Sequence, residues 1–349
     1  MLLASPTCGN TFVYVGSAAS SDICVLQLDL PTGELTVVEQ VPIPGIDTPG
    51  ISTPMAVSPD RRFLYIGTRG VPRVAAGFAI DPANGKIKHV ASGPLADSMA
   101  YLVTDRSGRF LLGASPPGHK ITIHPIRPPG TVRAPLQVLP DYPNAHAILA
   151  DARNRYVLVP TAGNDRINPL QLDAVAGRLT PNAQAAVSVP GGAGPRHLVF
   201  HPNGRRVYVI GERDGAIYVF DYDPDTGQLE RKQAISALPP GFQGQPLAAD
   251  LHVTPDGRFL YASERRSSIL TGFKIDAANG LLTAIGSVPT EQQPRGFNID
   301  PSGRYLLAVG EASDSLSIYT IDPDSGQLTK LKAYPIAASP NWVEIVAIP

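Results

Sequence analysis

The sequence predicts an all-β fold: a seven-bladed β-propeller, its ring closed by pairing of the C-terminal strand with the N-terminal blade. Three observations predict it. A phrase of short apolar strands and tight turns recurs along the chain at intervals near 46 to 53 residues, close to the roughly 40–50 residues of one four-stranded blade. The texture of each copy is β-branched, aromatic and turn-rich, with 33 Gly and 36 Pro in 349 residues, which excludes helical repeats of similar length. Finally, the first copy lacks an inner strand, and the chain ends on a strand with no blade after it.

The elements follow in order. The first copy, TFVYVGSAASSDICVLQLDLPTGELTVVE, begins near residue 11 at the level of a second strand. SPDRRFLYIGTRGVPRVAAGFAIDPANGKIKHV, DRSGRFLLGASPPGHKITIHPI and DARNRYVLVPTAGNDRINPLQLDAVAGRLTPN are looser copies from Ser58, Asp105 and Asp151. The clearest three start at Arg196, Asp250 and Arg295. PNWVEIVAIP at the C-terminus reads as the missing inner strand of the first copy, and pairing the two removes the open sheet edges. Residues 1–349 are thus expected to form one domain, with blades starting near 11, 52, 100, 146, 196, 250 and 295 and a closing strand at 341–349. Asn203-Gly204, Asp256-Gly257 and Ser302-Gly303 fall where a hairpin needs positive φ. The Asp-x-x-x-Gly pieces at 223–227, 276–280 and 322–326 read as turns on the opposite rim and lack the ligand count of a calcium loop.

Composition narrows the function class. Apolar residues are 43 % of the chain and charged residues 17 %, so a large core can be buried without a long disordered tract. A formal net charge of −1 gives no basic footprint for nucleic acid. Two cysteines, Cys8 and Cys24, make neither a disulfide framework nor a structural zinc site. The N-terminus has no basic segment ahead of a long apolar run, and no stretch of about 20 apolar residues is present. The expectation is a cytoplasmic monomer without membrane or nucleic-acid partners.

Inner strands of a propeller line the central channel, so unusual residues at equivalent places in successive copies mark the site. The slot that opens the inner strand holds Thr53, Ala100, His146, Arg196, Ala249, Arg295 and Asn341. The next holds Tyr101, His197, Asp250 and Trp342, with His252 just beyond. The slot that ends the second strand holds Arg69, Glu212, Arg265 and Glu311, against Ala18, Pro116 and Ala162 elsewhere. Arginines, carboxylates and histidines are therefore expected around one mouth, where they can tune one another's pKa. A strand-end arginine such as Arg69 also fits a rim salt bridge, and Glu212 with Arg265 fits an ion pair between blades. His201 begins a turn and reads as structural, while His119 and His124 fall in the most divergent copy.

These residues carry a resemblance. GAGPRHLVFHPNGR (192–205) followed by Glu212, DLHVTPDGRFLYASERR (250–266) and QPRGFNIDPSGRYLLAVGE (293–311) are similar to bacterial 6-phosphogluconolactonases of the seven-bladed propeller type. STPMAVSPDRRFLYIGTR (52–69) and Asn164-Asp165-Arg166-Ile167 match as well. The resemblance spans essentially the whole chain, is densest after residue 190, and extends to the fungal carboxy-muconate lactonizing enzymes. It implies an active-site set of His146, Arg196, Glu212 and Arg265, with Arg295, His197, His252, Arg69, Glu311 and Trp342 expected against the substrate. The sequence departs from the bacterial pattern at Ser115-Pro116-Pro117-Gly118 and at His146-Ala147-Ile148-Leu149.

The implied reaction is hydrolysis of a sugar δ-lactone, 6-phosphogluconolactone first among them, on a small-molecule lactone or anionic sugar-acid ligand. Water attack needs a base, Glu212 or His146, and donors where charge develops on oxygen. Arg196 and Arg265 suit the second task, and Arg295, with Arg69 or Arg73, suits a phosphate. No Gly-x-Ser-x-Gly elbow or metal-ligand cluster is visible, so neither an acyl-enzyme, nor a metal, nor a cofactor is expected. Two other readings stay open: cyclization or isomerization of a muconate-like acid at the same residues, and a non-catalytic scaffold.

Overall fold

The structure, a computed structural model, describes residues 10–348. Cys8 and the N-terminal segment considered above lie outside the described residues. No helix occurs among those described, and the strands form seven antiparallel sheets. The fold class is the expected one.

Blade 1 combines Asn10–Ser17, Asp22–Leu28 and Leu35–Pro42 with the C-terminal strand Pro340–Ile348, which pairs along the whole of Asn10–Ser17. The inner strands of blades 2, 3 and 4 are the short Met55–Val57, Tyr101–Thr104 and Leu149–Ala150. Those of blades 5, 6 and 7 are Pro195–Phe200, Ala248–Val253 and Pro294–Ile299. Blades 3 and 4 also break their outer edge into two pieces each, Thr131–Val132 with Gln137–Leu139 and Arg178–Pro181 with Val187–Ser188.

The core is distributed. Seven apolar clusters are present, one at each interface between neighbouring blades. Strand alternation explains this. In Asn10–Ser17, Phe12 and Tyr14 pack towards blade 2, while Val13 and Val15 pack towards blade 7. Every central strand is apolar on both faces because it has a blade on both sides.

Polar links cross the same interfaces. The hydroxyls of Tyr14, Tyr208 and Tyr261 donate to the carbonyls of Gly85, Gly280 and Gly326 in the next blade, at 2.9, 2.9 and 2.6 Å. The Asp-x-x-x-Gly turns at 81–85, 276–280 and 322–326 therefore do more than reverse the chain, since the glycine carbonyl receives a buried tyrosine from the neighbour; at 223–227 Tyr156 bonds the Asp225 carbonyl instead, at 2.8 Å. Side chains of Gln137, Gln184 and Gln233 likewise bond both backbone groups of Leu179, Leu229 and Leu282 one blade on. Gly204, Gly257 and Gly303 have φ of 67°, 75° and 74°, the left-handed conformation their hairpins were expected to need.

Candidate active site

The site starts from a backbone irregularity. Pairing with the second strand skips between Pro195 and Leu198 in blade 5, and between Ala248 and Leu251 in blade 6. It skips between Pro294 and Gly296 in blade 7, and between Pro340 and Trp342 in the closing strand. The bulged residues are Arg196 and His197, Ala249 and Asp250, Arg295, and Asn341. A bulge leaves its residue unpaired and re-aims its side chain, which is how one slot of an otherwise apolar strand turns into the channel. In blade 4, His146 precedes the inner strand and its N–H donates to the Pro160 carbonyl at 3.3 Å.

The second slot lies at the same level of the ring. Backbone N–H groups of Glu212, Arg265 and Glu311 donate to the carbonyls of Gly194, Leu247 and Gln293, each two residues before the first slot. Ala18 and Ala162 repeat that bond with Ser339 and Asn144. The two slots, each a separate repeat in the sequence, are thus joined by one recurring hydrogen bond.

Charge pairing at the mouth is unequal. Glu212 Oε1 accepts a hydrogen bond from Arg265 Nη2 and lies 3.4 Å from Arg196 Nε, so one carboxylate serves two guanidiniums. Arg295 Nη1 pairs with Glu311 at 2.9 Å and also donates to the Ile51 carbonyl at 3.0 Å. Arg69 has no carboxylate partner among the described residues; its Nε donates to Ser98 Oγ at 3.1 Å. The rim salt bridge considered for Arg69 is therefore absent, whereas the Glu212–Arg265 pair between blades is present. Arg73 is tied instead to Asp97 at 2.8 Å, which Lys120 shares at 3.0 Å.

The pKa directions follow from this arrangement. Burial and the nearby Arg265 lower Arg196, only 2 % exposed, to about 9. Burial, with Arg295 and Arg73, lowers Arg69 to about 10. Burial alone would raise the Glu212 carboxyl, but Arg196 and Arg265 overcome it and hold it below the usual range. Burial, reinforced by Arg196, His197, Arg295 and Arg69, holds His146 well below its ordinary 6.5. That ring is neutral near pH 7, and its buried Nδ1 has no hydrogen-bond partner among the described residues. A buried polar atom without a partner is uncommon in a fold and calls for an explanation, a catalytic role among them.

Next to the mouth residues lies an aromatic layer. His197 stacks edge-on against Tyr101 at 5.2 Å and lies 5.3 Å from His146 and 6.1 Å from Trp342, centroid to centroid. Beyond it, a cavity of about 320 Å³ is lined by Asp250, His252, Phe297, Asn298, Trp342 and Glu344, among others. Asp250 accepts from His197 Nδ1 at 2.8 Å and from His252 Nε2 at 3.3 Å. Against the cost of burial, His252 and His197 hold the Asp250 carboxyl far below the usual range, and Asp250 in turn raises His252. Glu344, bonded by Trp342 Nε1 at 2.9 Å, is pushed by burial up to about 7.

The structure therefore brings His146, Arg196, Glu212, Arg265, Arg295, Glu311 and Arg69 to one mouth. His197 and Trp342 belong to the aromatic layer, and His252 faces the far cavity. Sequence reasoning placed Asp250 in a channel-facing slot without giving it a role, and did not single out Glu344. Each has a legible signal, a carboxylate two residues from an aromatic ring in a channel-facing strand. Of the other histidines, His201 bonds the Gly257 carbonyl at 3.0 Å across a blade interface, as its structural reading required. His124 is buried between Thr122 and the Arg133 carbonyl.

Comparison with known proteins adds a family and relatives. Residues 10–345 match the family model described as lactonase, seven-bladed β-propeller. The 6-phosphogluconolactonase of Pectobacterium carotovorum is 40 % identical over 287 residues, covering 82 % of this chain and 84 % of the relative. That of Erwinia tasmaniensis is 42 % identical with the same coverage. The solved structure of the periplasmic gluconolactonase of Pseudomonas aeruginosa superposes with a TM-score of 0.86 at 27 % identity, covering 97 % of this chain and all of that one.

Proposed function

Since the chain belongs to the lactonase family of seven-bladed β-propellers, we propose that it hydrolyses 6-phospho-D-glucono-1,5-lactone to 6-phosphogluconate. The observation that carries this reading is the unequal charge at the mouth: four guanidiniums face two carboxylates, leaving positive charge for an anionic substrate beside a neutral, unbonded imidazole.

In the proposed reaction His146 removes a proton as water attacks the lactone carbonyl carbon. Arg196 and Arg265 donate to the oxygen on which negative charge grows. The ring C–O bond then breaks, the ring oxygen takes a proton from His146, and the product leaves as a hydroxy acid. His146 suits the base because its neutral ring keeps a buried nitrogen without a partner among the described residues, whereas Glu212 Oε1 is already shared by Arg265 and Arg196. Glu212 instead holds those two guanidiniums side by side despite their mutual repulsion. In this reading Arg69, which has no carboxylate partner among the described residues, and Arg295 receive the phosphate.

The mouth is assembled from this chain's own blades, which supports a monomer as the working unit; the cytoplasm is the proposed location. Gel filtration and cell fractionation test those two points. The test of the function is initial-rate hydrolysis of freshly made 6-phosphogluconolactone beside unphosphorylated gluconolactone, each corrected for spontaneous opening. A clear preference for the phosphorylated compound is expected. No rate above background on either would overturn the reading and turn attention to muconate-type acids.

A further inference from the structure

Arg196 is gripped twice, once directly by blade 6 and once by its neighbour His197, which blade 6 holds in turn. Its Nη1 donates to the Ala249 carbonyl and also, at 3.2 Å, to His197 Nε2. An arginine only donates, so His197 Nε2 must carry a lone pair. The proton of the neutral ring then sits on Nδ1, which donates to Asp250 Oδ1 at 2.8 Å. Asp250 Oδ1 is itself pinned by the Leu251 N–H at 3.0 Å, and the Asp250 N–H donates to Ser263 Oγ at 3.1 Å. Both anchors come from one feature, the blade 6 bulge, which presents the Ala249 carbonyl and the Asp250 carboxylate in succession.

Nothing in the fold requires this pair. In the other blades the corresponding inner-strand residues are Pro54, Tyr101, Ala147, Gly296 and Trp342, and those blades close without a carboxylate or an imidazole there. Burying an ionised aspartate beside two histidines carries a desolvation cost that packing alone does not explain. Among the described residues Arg196 Nη2 has no hydrogen-bond partner, so the grip on Nη1 decides where Nη2 points.

We propose that Asp250 is a positioning residue: by fixing the tautomer and orientation of His197, it aims the Arg196 guanidinium at the reacting oxygen. Asp250 and His197 touch no substrate in this account and act through Arg196. The consequence for the reaction rests on the proposed lactone hydrolysis; the tautomer does not.

The experiment pairs substitutions that keep the bond with ones that remove it. Asp250→Asn can still accept from His197 Nδ1, and His197→Gln can still accept from Arg196. Asp250→Ala and His197→Leu can do neither. The disruptive pair is expected to lower kcat about 10–100-fold with little change in KM, the range seen when an orienting partner is removed. The conservative pair should stay within about 3-fold of wild type. Imidazole 15N spectra should show His197 protonated on Nδ1 in the wild type and lose that preference in Asp250→Ala. Wild-type kcat in Asp250→Ala overturns the proposal, as do equal losses in Asp250→Ala and Asp250→Asn, or a wild-type His197 protonated on Nε2. If Asp250→Ala fails to fold, the His197 pair and the wild-type spectrum decide. If the wild type opens no lactone, the functional reading fails on its own and the spectra still report on the Asp250–His197 pair.

Discussion

Blades 5, 6 and 7, with the closing strand, differ from blades 2, 3 and 4 in how they reach the channel. The inner strands of the first group have six, six, six and nine residues; those of the second have three, four and two. A long inner strand has paired backbone on both sides of a bulge, so the bulge is held and its side chain aimed. Arg196, Arg295 and Asp250 are presented this way. A two- to four-residue strand has no ladder to spare. His146 therefore reaches the mouth from ahead of its inner strand, and the outer edges of blades 3 and 4 are broken as well. The difference teaches that one half of the ring is a rigid electrostatic frame, whereas the other half is a wall that sequence change can reshape.

That comparison can be broken at its strongest point first. Arg196→Ala removes the centre of the rigid frame and leaves Glu212 with one partner. The expected loss in kcat/KM is about 10³-fold, in the range for removal of an oxyanion donor, measured by initial rates on the best lactone substrate. A loss under 10-fold would mean the frame is not the catalytic half. His146→Ala tests whether the irregular half also contributes chemistry. It should cost about 10²-fold, and the acid limb of the wild-type rate profile should lie below pH 6.5, because the histidine is held below that value.

Arg69→Ala sharpens the contrast between chemistry and selectivity. Removing one charge-assisted hydrogen bond to the phosphate predicts a fall of about 10–50-fold on the phosphorylated lactone. Little change is expected on the unphosphorylated one, read as the ratio of the two kcat/KM values. Equal losses on both would assign Arg69 to the chemistry.

Stability changes are expected to be smaller. The Glu344 carboxyl, next to His252 and Asp250, is raised from 4.5 to about 7 in the folded state. Between those values the folded state binds a proton that the unfolded chain does not, so this group's contribution is full below about pH 4.5 and is lost as pH rises through about 7. Glu344→Gln should flatten that part of the thermal stability profile, leaving it relatively more stable at pH 8 than at pH 5. Tyr208→Phe, which removes the hydroxyl bonded to Gly280 across blades 5 and 6, should cost about 1 kcal/mol in denaturant unfolding.

Legibility varied with how local the cause was. The repeats around Tyr65, Tyr208 and Tyr261 align readily because strand alternation and hairpin glycines repeat within each blade. The slots that hold Arg196 and Glu212 were visible for the same reason. His252 was expected with the mouth residues but lines the far cavity, because residues two apart in an inner strand face the channel at different depths. By sequence Arg69 fits both a rim ion pair and a substrate contact, and the structure sets its Nε against Ser98, 29 residues on in the chain and just ahead of the blade 3 inner strand.

By itself, then, the amino-acid sequence determined the blade, the number of blades, the closure of the ring and the slots that open on its axis. All of these are set by short-range periodicity and turn chemistry, together with the half-blade left at each end. Tertiary structure alone decided which groups pair: Glu212 with both Arg196 and Arg265, Arg295 with Glu311, Asp250 with His197, and Arg69 with no carboxylate. These partners meet because bulged inner strands and the ends of second strands, in one blade or in neighbouring ones, bring together side chains often a whole repeat apart in the chain, and no local pattern records how far a bulge turns a side chain.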